Sequence, residues 1–159
     1  MDHAAQARGI AVMITPMVAR FVRDTFDRDA WFFELKWDCF RAIAETDGKG
    51  GVKLYSRNHN DFRRRFPWVA DAVSGLRHAA ILDGEIVALD EHGKPRFEWL
   101  LNRWPQKGTI VFYVFDCLLS KGQDLRQEPL LKRKKNLKRL LKNHPRLIYI
   151  DHIEGQGLA

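Results

Sequence analysis

Lys36 is the residue whose neighbours most invite chemistry. It stands two positions after Glu34 and two before Asp38, in the stretch Trp31-Phe32-Phe33-Glu34-Leu35-Lys36-Trp37-Asp38-Cys39-Phe40-Arg41. A lysine attacks an electrophile only as the neutral amine, whereas free lysine titrates at about 10.4. Bringing it to neutrality near physiological pH requires roughly 3–4 kcal/mol of differential interaction. Burial, a neighbouring cation or a bound metal ion can supply that. Glu34 and Asp38 push the other way, because carboxylates favour the ammonium. A nucleophilic Lys36 therefore needs Arg41, another cation or Mg2+ at the same site. The plainer reading is a surface lysine paired with Glu34 or Asp38.

Other residues suit the same chemistry. In Asp83-Gly84-Glu85 both carboxylates project to one side of an apolar run, where an unpaired carboxylate is costly. Gly84 permits a close backbone approach. A carboxylate there suits a ribose hydroxyl or Mg2+, with an edge-strand charge as the alternative. Phe115, before Asp116, presents its ring either to the core or to a flat heterocycle. Arg57, followed by Asn58, suits a phosphate or a solvated salt bridge. The run containing Lys132, Arg133, Lys135 and Arg139 reads as a solvated helix face or a contact for a phosphate backbone. It lacks the interleaved aromatics that stacking on single strands requires. Neither GxxxxGK[ST] nor GxGxxG occurs, so a nucleotide would not be held by either glycine-loop route.

These residues must be positioned by strands, with helices between them. Trp31 to Asp38 alternates with period two: Trp31, Phe33, Leu35 and Trp37 on a core face, Phe32, Glu34, Lys36 and Asp38 on the other. Phe40 to Glu45 and Val52 to Ser56 flank the turn signal Asp47-Gly48-Lys49-Gly50-Gly51 and predict a hairpin. Pro67 starts a helix towards Leu76 with Trp68, Val69, Ala72, Val73 and Leu76 inward. Ala79 to Leu89 is a strand interrupted at Asp83-Gly84-Glu85, and Phe97 to Trp104 has helical spacing stopped by Pro105. Ile110 onward is a central strand ending at Asp116, Pro129 to Leu141 a basic helix, and Arg146 to Asp151 a short strand. Residues 18–26 have some helical spacing but read as a mixed surface segment. The class is α+β.

At 159 residues the chain is about one domain long, with the 45% hydrophobic and 30% charged content of a globular protein rather than a disordered tail. The net charge of +7 fits a polyanionic partner but also simple solubility. Two cysteines without CxxC spacing fit free thiols in a reducing compartment, not a disulfide scaffold or a zinc site. No apolar run approaches a membrane span and no signal peptide opens the chain, so a cytoplasmic location is expected.

Lys36-Trp37-Asp38-Cys39-Phe40-Arg41 resembles the Lys-x-Asp-Gly-x-Arg signature of covalent nucleotidyltransferases, the superfamily of ATP-dependent DNA ligases and capping enzymes. With Ser56-Arg57-Asn58, Leu82-Asp83-Gly84-Glu85-Ile86-Val87 and Val114-Phe115-Asp116 in order, it looks like the ligase part of the multifunctional bacterial end-joining ligases. The resemblance runs from about Pro16 to Gly155. It implies a partial nucleotidyltransferase fold, the ATP-grasp-like ligase adenylation fold, with mainly antiparallel sheets and packed helices. It also implies that Lys36 attacks the α-phosphorus of ATP and carries AMP to a DNA 5′-phosphate, so that a nick is sealed in repair. Arg41 and Arg57 would meet ribose or phosphates, Glu85 the ribose or a Mg2+ or Mn2+ ion, Phe115 the adenine face, and Glu34 the adenine pocket. Partners would be ATP, nicked or broken double-stranded DNA, and end-joining proteins, with no membrane.

Two departures stand out. Cys39 replaces the family's glycine, which costs roughly 1–2 kcal/mol if the backbone there is left-handed. The family also continues past residue 159 with a Glu-Gly metal motif, a lysine-bearing motif and an OB-fold domain. Glu154-Gly155 looks like the segment preceding that metal motif, not the motif itself. The resemblance thus divides the chain into a leader, 1–15, and the N-terminal part of an adenylation domain, 16–159. The alternative is a non-catalytic basic protein that binds DNA or a partner ligase.

Overall fold

The computed structural model describes residues 13–37, 39–101 and 108–157. Asp38, Trp104, Pro105 and most of the leader, named above, lie outside them. The centre is a six-stranded sheet in which β3 (Val52–Ser56), β2 (Phe40–Asp47), β4 (Ala79–Leu89), β5 (Thr109–Ser120) and β6 (Gln123–Asp124) follow one another, all antiparallel. β7 (Leu147–Tyr149) joins β5 in parallel. Among the described residues three helices accompany it: α1 (Pro67–Ser74), α2 (Phe97–Leu101) and α3 (Leu130–Leu140). The α+β expectation, with mainly antiparallel sheets and packed helices, holds. Among the described residues no helix is long and apolar enough to cross a membrane.

Alternation sorts the sheet into two faces. Ala42, Ala44, Leu54, Leu82, Ile86, Phe112 and Val114 point to one side, where they pack with Val69 and Val73 of α1, Leu100 of α2 and Leu137 of α3. Full burial of the Val, Leu, Ile and Phe side chains among them contributes about 1.5–3 kcal/mol each. Arg41, Ile43, Glu45, Asp83 and Glu85 alternate with them and take the opposite face. There Ile43, Tyr55, Ile81 and Leu119 form a smaller cluster packed against Ile14.

Several expectations are corrected. The strand predicted over 31–38 is only β1 (Phe32–Phe33), paired with β8 (Ile153–Glu154) in a separate two-stranded sheet. Trp31 and Leu35, expected in the core, are 47% and 73% exposed. Alternation marks what a strand could bury, but a strand also needs a hydrogen-bonding neighbour, and β8 offers two residues. The interruption expected at Asp83-Gly84-Glu85 does not occur: β4 is continuous there, and the irregularity is a bulge on its partner β5. β5 continues past Asp116 to Ser120. Trp68 is 40% exposed, so Val69 and Val73, not Trp68, form the buried side of α1, and Leu76 is buried just past its end. Residues 18–26, by contrast, match the mixed surface segment expected: they form no helix, and Met17, Val18, Phe21 and Val22 are exposed.

Candidate active site

Register brings the candidate residues to one end of the sheet. Arg41 of β2 lies opposite Glu85 of β4, and Ala42 opposite Ser56, so Arg57 follows at the same end of β3. In β4–β5 pairing Asp83 faces Asp116 and Gly84 faces Val114, which leaves Phe115 as the extra residue of the bulge. Bulges re-aim side chains at such places. Gly84 is required by the close approach: a side-chain carbon there would collide with the Tyr113 carbonyl oxygen and sit 2.9 Å from the Phe112 ring.

Arg41 is held firmly. Its Nε and Nη2 donate to the two oxygens of Asp83 at 3.0 and 2.8 Å, and Nη1 donates to the Met17 carbonyl at 2.7 Å. The guanidinium stands over the Phe115 ring, 5.4 Å from its centroid. Hydrogen bonding to Asp83 raises the Arg41 pKa, so the cation is permanent. Burial raises that of Asp83, with Arg41 opposing. Such a fork is the geometry in which an arginine is oriented rather than merely charged.

The nucleophile candidate is tied to this sheet from outside it. Lys36 is exposed, in the segment after β1. Beyond it, the Cys39 backbone N–H donates to Glu85 Oε2 at 3.1 Å. Before it, Glu34 pairs with Lys134 of α3. Trp37 packs at a tilt on Tyr113, centroids 4.7 Å apart. Glu34 is thus engaged by a residue a hundred positions later, not left solely to its neighbour Lys36. The left-handed strain considered for Cys39 depends on the Asp38–Cys39 backbone, and Asp38 is outside the described residues.

The basic run on α3 is divided by its surroundings. Arg133 donates to both oxygens of Asp116 at 2.8 and 2.9 Å and to the Glu128 carbonyl at 2.6 Å. Lys132 pairs with Glu128 at 2.9 Å. Lys135 and Arg139 are exposed, and Arg139 lines an open cleft of about 390 Å3 with Arg77, His78, Lys121 and His144. The uniform basic face expected from the sequence is therefore corrected: Arg133 points inward. Lys134 was missed as a site residue, although it sits on the apolar stripe Leu130, Lys134, Leu137, Leu141, where a cation is out of place. Asp83 was seen as a carboxylate but not as the partner of Arg41, a contact across 42 positions that only strand pairing creates.

Glu85 alone among the expected site residues is a carboxylate suited to a metal. Among the described residues no group of three or more His, Cys, Asp or Glu converges to hold one. One carboxylate with substrate phosphates is how Mg2+ is often held, so Glu85 fits as one ligand of such an ion and no more.

A family described as the ATP dependent DNA ligase domain matches residues 16–156. The SPbeta prophage-derived DNA ligase-like protein LigB of Bacillus subtilis is 32% identical over 152 residues, 93% of this chain and 55% of that protein. The multifunctional non-homologous end joining protein LigD of Pseudomonas aeruginosa is 37% identical over 131 residues, 80% of this chain and 15% of its own length. The ligase domain of M. tuberculosis LigD superposes with a TM-score of 0.68 at 31% identity, covering 79% of this chain and 41% of that one. A mycobacterial DNA ligase D complexed with ATP and MES gives 0.71 at 30% identity, covering 86% and 46%. The chain spans about half the length of LigB and a smaller share of the others. Sheet register, the Arg41–Asp83 fork and a family match over nearly the whole sequence agree: the chain belongs to the ATP-dependent DNA ligase family.

Proposed function

We propose that this chain binds ATP and forms a lysyl-adenylate at Lys36, the first step by which an ATP-dependent DNA ligase prepares a nick for sealing. The observation that carries this reading is the Cys39 N–H to Glu85 bond. It ties the segment bearing Lys36 to the sheet position where Arg41, Asp83 and Phe115 meet. The Lys36 amine forms a bond to the α-phosphorus as the bond to pyrophosphate breaks, and the amine proton passes to solvent. Fixed cations at that point stabilise charge on the non-bridging oxygens. Arg41 is one, and Arg57 at the end of β3 is a second candidate. Phe115 takes a face of the base, Glu34 lines its pocket, and Glu85 holds a ribose hydroxyl or one side of a Mg2+ or Mn2+ ion. A bound ion would supply Lewis-acid stabilisation of the phosphates.

AMP then passes to a DNA 5′-phosphate, and a 3′-hydroxyl displaces it. Similarity to the end-joining LigD proteins supports double-strand-break repair with end-joining proteins as partners. The test is intact mass after incubation with ATP and Mg2+, beside Lys36→Ala. An AMP-sized adduct only on the unaltered chain supports the reading. Absence of an adduct on that chain overturns adenylation by this chain alone.

A further inference from the structure

Lys134 is 2% exposed, although it lies in the most basic stretch of the sequence. A buried ammonium destabilises a fold unless several acceptors surround it. If packing alone were needed, a leucine would serve, as at Leu137 and Leu141 on the same stripe. The ammonium is instead shared among three segments. It pairs with the Glu34 carboxylate, donates to the Ile150 carbonyl at 3.0 Å and approaches the Phe115 carbonyl at 3.4 Å. The Tyr149 ring lies 5.1 Å away. Ile150 itself donates its N–H to the Val114 carbonyl at 2.9 Å, closing a ring of contacts around the bulge that presents Phe115.

We infer that Lys134 is a positioning residue for nucleotide recognition: its ammonium fixes Glu34 relative to Phe115. It thereby sets the affinity for the nucleotide rather than the rate at which Lys36 attacks. The identity of the ligand rests on the function proposed above; the geometry of the node does not. Lys134 acts from behind, through a carboxylate and a backbone carbonyl. Removing it frees Glu34 and the segment before Lys36 to move relative to the bulge. Arginine retains the cation and several donors, so it keeps most of the node. Methionine keeps the volume and loses it.

The test measures ATP affinity by calorimetry on the full chain, adduct formation against ATP concentration by intact mass, and Tm. It compares the unaltered chain with Lys134→Met, Lys134→Arg, Glu34→Gln and the double variant Lys134→Met/Glu34→Gln, in which no buried charge is left unpaired. Lys134→Met is expected to raise Kd and KM for ATP about tenfold or more while the saturating rate stays within roughly threefold, and Lys134→Arg to recover most of the loss. The double variant is expected to be no worse than the poorer single one, since both break one contact. A folded Lys134→Met with unchanged Kd, or one that loses only saturating rate or Tm, overturns the inference. If Lys134→Met does not fold, Lys134→Gln decides by the same criterion, and failure of both to fold makes Lys134 a stability residue and overturns the inference. Failure of the unaltered chain to bind ATP overturns the functional reading and this inference together. ATP binding by that chain with equal binding by Lys134→Met overturns this inference alone.

Discussion

Glu85 and Lys36 are positioned by opposite means. Glu85 is on β4, an interior strand with β2 and β5 on either side, beside the buried Asp83 and Ile86. Lys36 follows the two-residue strand β1 on a segment held also by the side chains of Glu34 and Trp37 and by the Cys39 N–H. The difference teaches that the proposed recognition residues Arg41, Glu85 and Phe115 stand on strands of the central sheet, whereas the proposed nucleophile is borne by a segment the sheet merely anchors. Removal of Lys36 should therefore cost chemistry without stability, and removal of the sheet's own residues should cost stability first.

The largest effect tests the first half of that contrast. Lys36→Ala should reduce adduct formation by about a thousandfold or more while Tm is unchanged, read by intact mass and thermal unfolding. A large fall in Tm would mean that the segment is structural. Next, Phe112→Ala, emptying a fully buried site behind Gly84, should cost about 3–5 kcal/mol in urea unfolding. Asp83→Asn should cost about 2 kcal/mol, since it deprives Arg41 of its counter-ion but that arginine is still 25% exposed. It should raise KM for ATP as well, because Arg41 loses its orientation. Leu35→Ser, beside the nucleophile but 73% exposed, should change stability by less than about 0.5 kcal/mol.

The smallest effect is a pH dependence on the sheet side. Burial lowers the His144 pKa, against the hydrogen bond with the Ala72 backbone. Its Nδ1 accepts the backbone N–H groups of Arg146 and Leu147 at 3.3 and 3.1 Å, at the start of β7. The neutral ring is thus favoured by folding. Its contribution is present above the unfolded value of about 6.5 and declines as pH falls from there towards the lower folded value. Stability measured between about pH 7.5 and 5.5 should fall with acid, and His144→Gln should flatten that fall. An unchanged slope in the variant would remove His144 as the cause.

Much of this was legible in one dimension, for particular reasons. Pro67 fixed the start of α1, the glycines after Asp47 marked the β2–β3 turn, and the apolar run from Ile110 marked β5. The candidate residues Lys36, Arg41, Glu85 and Phe115 were named by type and order, and register then put Arg41, Glu85 and Phe115 together. What failed were statements about partners. Trp31 to Trp37 alternates as a strand should, yet the pattern does not say whether an edge is available to receive it. The α3 lysines look alike in sequence, but one is buried, others are paired and others are exposed.

The sequence by itself determined which residue types stand at which spacing: a lysine flanked by carboxylates, an Asp-Gly-Glu on an apolar strand, an aromatic before Asp116. It also determined the two periodicities that make strands and helices, because both are local. Only the tertiary structure decided that Asp83 orients Arg41, that Cys39 reaches Glu85, and that Lys134 belongs to Glu34. Each of these joins residues about forty to a hundred positions apart. Such contacts depend on strand order, bulges and the closing of long loops, and no local preference encodes them.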